Sequence, residues 1–189
     1  MMKRLLLTSF DIWLPHHKSN SSDDLLEEVT QNHELQSALS TMRKLPVDVK
    51  GAADQVIAKI TETQPDYIIC CGMAESRTQL SVESNARSTP AYTNCSISML
   101  PSDYQETTLH PNVNLEELVA PCQAVEISHD CGSFVCEGLY YSVLDYLLKN
   151  SPKSKCIFIH VPILTENNIR VVVEDFLLVI DRLALLSSD

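Results

Sequence analysis

Apolar residues fall along this chain in short blocks, and the blocks follow two periods. LLLTSF (5–10), YIICC (67–71), AVEIS (124–128) and CIFIH (156–160) are runs of the length expected for buried strands. QLSVE (79–83) alternates like a short strand, and RKLPVDV (43–49) reads as another. Between them the apolar positions recur at helical spacing. Ser22 is placed to cap a helix with Asp23 and Asp24 in its first turn and Leu25, Leu26 and Val29 on one face, reaching about Ser40. GAADQVIAKITETQ (51–64) turns Ala53, Val56, Ile57 and Ile60 inward, and SFVCEGLYYSVLDYLL (133–148) does the same with Phe134, Val135, Leu139, Val143 and Leu147. Thr165 is placed to cap a long final helix. Strands alternating with helices predict a three-layer α/β/α fold, one domain over residues 1–189. Residues 84–123 hold four prolines and little periodicity beyond a short helix at NLEELV. A loop of that length in a compact domain is more often functional than idle.

Charge and composition narrow the function. The formal net charge of −11 argues against a nucleic-acid backbone or an anionic membrane as partner. The apolar stretch in MMKRLLLTSF is too short for a signal peptide. The apolar C-terminal segment is broken by Arg170, Glu174, Asp175, Asp181 and Arg182, which argues against a membrane span. A cytoplasmic protein is expected. The seven cysteines are odd in number and come without a secretion signal, so no disulfide framework is expected. Cys70, Cys71 and Cys156 read as small core residues.

Open α/β sheets place reactive groups where strands end and helices begin. Cys136 falls in the first turn of its helix, where free N–H groups and the positive helix end lower a thiol pKa and can hold an oxyanion. His160 closes CIFIH, in reach of general acid–base work. Glu83 ends QLSVE and can orient an imidazole. Each has a plainer reading when taken alone: a buried thiol, a satisfied core histidine, a solvated carboxylate. Cys131 lies before the helix and gains less of its field. His129, Cys131 and Cys136 fit no standard zinc spacing, and His16 and His17 read as loop residues rather than ligands. Neither a phosphate-binding loop nor a dinucleotide fingerprint occurs, and four glycines leave little room for one.

The order of these motifs resembles the pyroglutamyl-peptidase I family, cysteine peptidases that remove an N-terminal pyroglutamate. LLLTSFDIW is similar to the family's opening strand and Phe-containing loop, with Asn20 near its Asn-Pro, and LPVDV to its Leu-Pro-Val strand. QPDYIICCGMAESR resembles its strand, glycine and Arg turn, with Gly72, Ala74 and Arg77 in register. LSVE resembles the segment of its catalytic Glu, CGSFVCEGLYY its Ala-Gly-x-x-x-Cys helix start, and FIHVP its catalytic His segment. The resemblance implies a phosphorylase/hydrolase-like twisted mixed sheet, mostly parallel, with helices on both faces, and a homo-oligomer. It assigns the nucleophile, base and orienting acid to Cys136, His160 and Glu83, with no cofactor or metal. Phe10, Trp13 and Met73 become the candidate walls for the substrate's ring. The substrate that the resemblance implies is a peptide or small N-acyl amide.

Two segments depart from the family pattern. The family's Gly-Phe-x-Pro-Phe-Gly-Gly reads SFDIWLP here: Phe10 is kept, Trp13 replaces the second Phe, and Ser9, Leu14 and Pro15 replace glycines. Leu and Pro do not take the positive φ open to glycine, so the loop is reshaped. The family's Asp-Ala-Arg-Ile-Pro-Asp-Asn stretch has no clear equal in SNARSTPAYTNC. Alternative readings are therefore a cysteine amidohydrolase with another N-acyl substrate, or a non-catalytic binding protein that kept the fold.

Overall fold

Each apolar run forms a strand whose alternate side chains enter two different cores. In the computed structural model, which describes residues 3–31, 39–88, 106–151 and 153–185, the strands are β1 (Leu5–Phe10), β2 (Leu39–Leu45), β3 (Tyr67–Met73), β4 (Leu80–Glu83), β5 (Ala86–Arg87), β6 (Thr108–Leu109), β7 (Val125–Ser128) and β8 (Lys155–Val161). The helices are α1 (Ser21–Thr30), α2 (Val49–Thr63), α3 (Leu115–Val119), α4 (Val135–Asn150) and α5 (Ile169–Leu185). Leu5, Leu7, Ile69, Ile157 and Ile159 pack against α1 and α5 through Leu25, Leu26, Val29, Phe176 and Val179. Leu6, Ile68, Cys70 and Phe158 pack on the other face against Val56 and Ile60 of α2 and Leu139, Tyr140 and Val143 of α4. The result is the three-layer α/β/α architecture expected from the alternation. Cys70, Cys71 and Cys156 are buried as core residues. No helix among the described residues is long and apolar enough to cross a membrane.

The main sheet runs β2-β1-β3-β8-β4-β7, and a separate two-stranded sheet pairs β5 with β6. All neighbours in the main sheet are parallel except β4 and β8, where Ser81 lies opposite His160. The parallel β3–β8 pair sets Gly72 beside His160. One strand end therefore faces both the end of β3 and the antiparallel β4, and this seam carries the site.

Several boundaries differ from the sequence reading. The first helix ends at Thr30, and Leu39 and Ser40 already belong to β2; residues 32–38 lie outside the described residues. Its N-cap is Asn20, whose side chain accepts from Ser22 N–H and Ser22 Oγ, so Ser22 sits inside the first turn. The strand expected at 43–49 runs instead over Leu39–Leu45. Pro46 has no N–H for a ladder, and Asp48 is diverted to cap α2 by accepting from Gly51 N–H at 2.7 Å. Helix α5 begins at Ile169, four residues past Thr165, whose carbonyl accepts from Asn168 and Ile169 in the preceding turn. The short helix at NLEELV forms as α3 with Asn114 as its cap.

Candidate active site

Glu83 and His160 meet because β4 runs antiparallel to β8. Positions on one face of a strand recur every second residue, so Glu83, two beyond Ser81, reaches diagonally to His160. Glu83 Oε1 lies 2.7 Å from His160 Nδ1, and both side chains are buried. A buried carboxylate accepts, so Nδ1 carries the proton and Nε2 is left with its lone pair. Glu83 is further tied in by Tyr140, whose hydroxyl donates to the Glu83 carbonyl, and by Arg77, whose Nη2 lies 3.7 Å from Oε1. The second carboxylate oxygen, Oε2, is buried without a hydrogen-bond partner.

Cys136 is the second residue of α4. Its sulfur rests over Gly72, the residue beside His160 in the sheet: a Cβ built on Gly72 would lie 2.6 Å from Cys136 Sγ. Helices α1, α2 and α3 are closed at their N-termini by Asn20, Asp48 and Asn114, but Phe134 at the head of α4 supplies no side-chain cap. The first helix bond there is Gly138 N–H to Phe134 carbonyl. The amides of Val135, Cys136 and Glu137 thus have neither an intrahelical acceptor nor a side-chain cap. Gly132, with φ of +87°, makes the turn that leads the chain into this helix.

The expected lowering of the Cys136 pKa is not what this surrounding produces. Burial and then the charge of Glu83 push the thiol up to about 12, against a smaller downward pull from its own backbone N–H. Helix-end position is a local property of the sequence; desolvation and a carboxylate brought from β4 are not, and here they outweigh it. Cys131 also stands closer to the chemistry than its place before the helix implied. It is buried, one ligand atom each of Cys131, Glu83 and His160 lie within 4.8 Å of one another, and burial with the nearby Glu83 charge pushes its thiol well up. His129 bonds through Nδ1 to Ser84 Oγ at 2.6 Å.

Phe10, Trp13 and Met73 all line a cavity of about 270 Å³ together with Cys136 and His160. The reading of the helix missed one wall. Phe134, expected on the core face, is 56% exposed and packs its ring against Trp13 at 5.0 Å. It precedes α4 rather than lying within it, so helical spacing does not apply. A second, more polar cavity of about 710 Å³ opens on the other side of Cys131 and His160, lined by Arg77, Glu126, Ser128 and Asp130. Arg77 donates there to Ser128 Oγ and the Asp130 carbonyl at 2.8 and 3.1 Å.

Arg87 was a further unforeseen participant. Its Nε lies 3.0 Å from Glu137 Oε1, and its Nη2 reaches Asp130 Oδ1 and the Gly132 carbonyl. It thereby fastens the turn ahead of Cys136 to the helix. The available signal was Glu137, an acid on the apolar side of α4 whose carboxylate is fully buried and needs a partner.

A thiol at an uncapped helix start and a histidine–glutamate pair on adjoining strands of a three-layer sheet are the equipment of the cysteine-hydrolase class. The family model described as pyroglutamyl peptidase matches residues 110–175. The pyrrolidone-carboxylate peptidase of Bacillus subtilis is 25% identical over 187 residues, covering 89% of this chain and 82% of that protein. The one of Brevibacillus brevis is 28% identical with the same coverage. Among solved structures, pyroglutamyl peptidase I from Bacillus amyloliquefaciens superposes with a TM-score of 0.79 over 100% of this chain and 98% of that one, at 21% identity. The pyrrolidone carboxyl peptidase of Thermococcus litoralis gives 0.72 at 17% identity, over 97% and 94% of the two chains. The chain is thus similar to the pyroglutamyl peptidases, through the family model over residues 110–175 and through relatives 25–28% identical over most of its length.

Proposed function

We propose that the protein is a cysteine peptidase that hydrolyses the amide following an N-terminal pyroglutamyl residue, within a single domain, and that Cys136, His160 and Glu83 carry the reaction. The observation that supports it most directly is the stacking of parts at the seam: Cys136 Sγ over Gly72, Gly72 beside His160, and His160 Nδ1 at 2.7 Å from Glu83. His160 Nε2 takes the thiol proton as the sulfur attacks the scissile carbonyl. The oxyanion so formed accepts from the open amides at the start of α4. Collapse expels the amine, which takes the proton from His160, and leaves a thioester. Water, deprotonated by the same nitrogen, releases pyroglutamate and restores the thiol. The ring of the substrate occupies the cavity walled by Phe10, Trp13, Met73 and Phe134.

The test is turnover of a fluorogenic pyroglutamyl amide. Wild-type chain releases the fluorophore, Cys136→Ala abolishes release, and Cys131→Ala keeps it within about tenfold. Equal loss in both variants, with folding intact, removes the assignment of the nucleophile. The Trp13–Phe134 pair, 5.0 Å between ring centroids, favours one second reading: the same chemistry on another N-acyl amide. A panel of N-acyl amides run beside the pyroglutamyl one separates the two.

A further inference from the structure

The loop that carries Trp13 also holds a cluster of ligating side chains that the peptidase chemistry does not use. His16 and His17 follow Pro15, and Glu75 lies on the turn after β3. One ligand atom from each of the three lies within 4.8 Å of the other two. His17 Nε2 stands 2.6 Å from Glu75 Oε1, and the His16 and His17 rings meet edge to face at 4.4 Å. The His17 side chain is only 10% exposed, and its other ring nitrogen, Nδ1, is buried with no hydrogen-bond partner. Such a nitrogen in a native structure asks for a missing ion or water.

We propose that His16, His17 and Glu75 bind a divalent cation of the zinc class. Two imidazoles and a carboxylate select zinc, nickel or copper over the harder magnesium and calcium. Donors about 2.0–2.2 Å from one zinc ion stand roughly 3.3 Å apart, so the cluster closes with small side-chain rotations. Glu75 acts either as a third ligand or as the carboxylate that holds the second N–H of a metal-bound His17. The net charge of −11 favours cation capture. The consequence reaches the substrate cavity. Trp13 lies 6.2 Å from the His17 ring on one side and 5.0 Å from Phe134 on the other, and Trp13 and Phe134 both line the cavity with Cys136. A bound cation ties this reshaped loop to the turn after β3, just beyond Met73, and so fixes the aromatic wall.

Trp13 is the chain's single tryptophan, which makes it the reporter. The experiment titrates nickel into the Cys136→Ala chain, free of any histidine tag, and follows tryptophan fluorescence, with zinc as competitor. Saturable quenching at one equivalent, reversed by zinc, is expected. His16→Ala and His17→Ala each weaken it roughly tenfold or more, and Glu75→Gln weakens it in the same direction. Circular dichroism checks each variant; should His17→Ala misfold, His16→Ala and Glu75→Gln carry the test. Quenching that never saturates, or that is unchanged in the variants that fold, overturns the proposal. No turnover is needed, so this result is independent of the proposed activity.

Discussion

Gly72→Ala is the sharpest test of where the sulfur of Cys136, the proposed nucleophile, sits. The added Cβ would lie 2.6 Å from Cys136 Sγ, 3.0 Å from Phe158 Cζ and 3.3 Å from Phe158 Cε1. Non-bonded heavy atoms settle at about 3.5–4.0 Å, so something must move by about 1 Å. Phe158 cannot give way easily. It is fully buried and its ring is held between Tyr140 at 5.6 Å and His160 at 5.0 Å. The sulfur, bordering the cavity, is what moves. A misplacement of about 1 Å costs on the order of a hundredfold in rate, which is about 2.7 kcal/mol of transition-state stabilisation. Overpacking adds about 1–3 kcal/mol of destabilisation. The assay is kcat and KM on the pyroglutamyl reporter, beside a thermal midpoint for each protein. Gly51→Ala is the control, since its Cβ also crowds at 2.6 Å, but against the Asp48 carboxylate at the head of α2. It should lower the midpoint and leave kcat alone. A folded Gly72→Ala protein with kcat within threefold of wild type would refute the placement of Cys136 over Gly72 as the working geometry.

The thiol and one buried acid give the remaining predictions. With its pKa pushed up to about 12, Cys136 should be alkylated by iodoacetamide at a rate that keeps rising from pH 7 to pH 9.5. Glu83→Gln removes one cause of that rise and should speed labelling while lowering kcat by about 10²–10⁴-fold. Site-resolved mass spectrometry reads the first and the reporter assay the second. A labelling plateau below pH 8 in the wild type would sink this account. Asp23 is buried, which opposes its ionisation, but hydrogen bonds from Arg43 and Ser9 and the charges of Arg43 and Lys44 win, so its pKa is lowered. The unfolded chain therefore protonates first as pH falls through about 4. The stability Asp23 contributes is complete above that value and is lost as pH drops through the lower folded pKa. Urea midpoints of wild type should fall more steeply between pH 5 and pH 3 than those of Asp23→Asn, which should itself cost about 1–3 kcal/mol at pH 7. Parallel slopes would contradict the assignment.

β1, β3 and β8 were legible because each is a short apolar run, and burial on both faces leaves that pattern whatever the neighbours are; the half-exposed β2 was misplaced, and the two-residue β5 and β6 fall in the stretch read as a loop. The order of the strands was not legible. That β8 enters between β3 and β4, and that β4, with β7 beside it, runs against β8, depends on pairings between residues nearly eighty positions apart. Ends of elements were misread where a local signal had a competitor. Ser22 looked like a cap, but Asn20 took the role; Thr165 looked like another, but it serves the turn through its backbone carbonyl and N–H. Arg87 was invisible as a fastener because its partner, Glu137, lies fifty residues away. Within the candidate site, residue types and order were readable. The electrostatic state of the thiol was not, since it is set by what folding buries and by which carboxylate arrives.

That electrostatic state also bears on how the proposed chemistry proceeds. A thiol held near 12 is not a resting thiolate at neutral pH. Burial is the larger cause of that rise, and the second is the carboxylate bonded to His160 at 2.7 Å. Glu83 thus disfavours a lone thiolate, while its contact with Nδ1 stabilises positive charge on the ring as it forms in the reaction. Attraction falls with distance, and Glu83 is hydrogen-bonded directly to the imidazole. Its effect on a thiolate–imidazolium pair, taken as one unit, is therefore favourable. The sulfur becomes charged only as His160 does, when the proton crosses between them. The bound carbonyl completes the arrangement by carrying the negative charge on to the open amides of α4, away from Glu83. In this site Glu83 suppresses the nucleophile in the absence of proton transfer and supports it in its presence. Thiol labelling and turnover should therefore respond to Glu83→Gln in opposite directions.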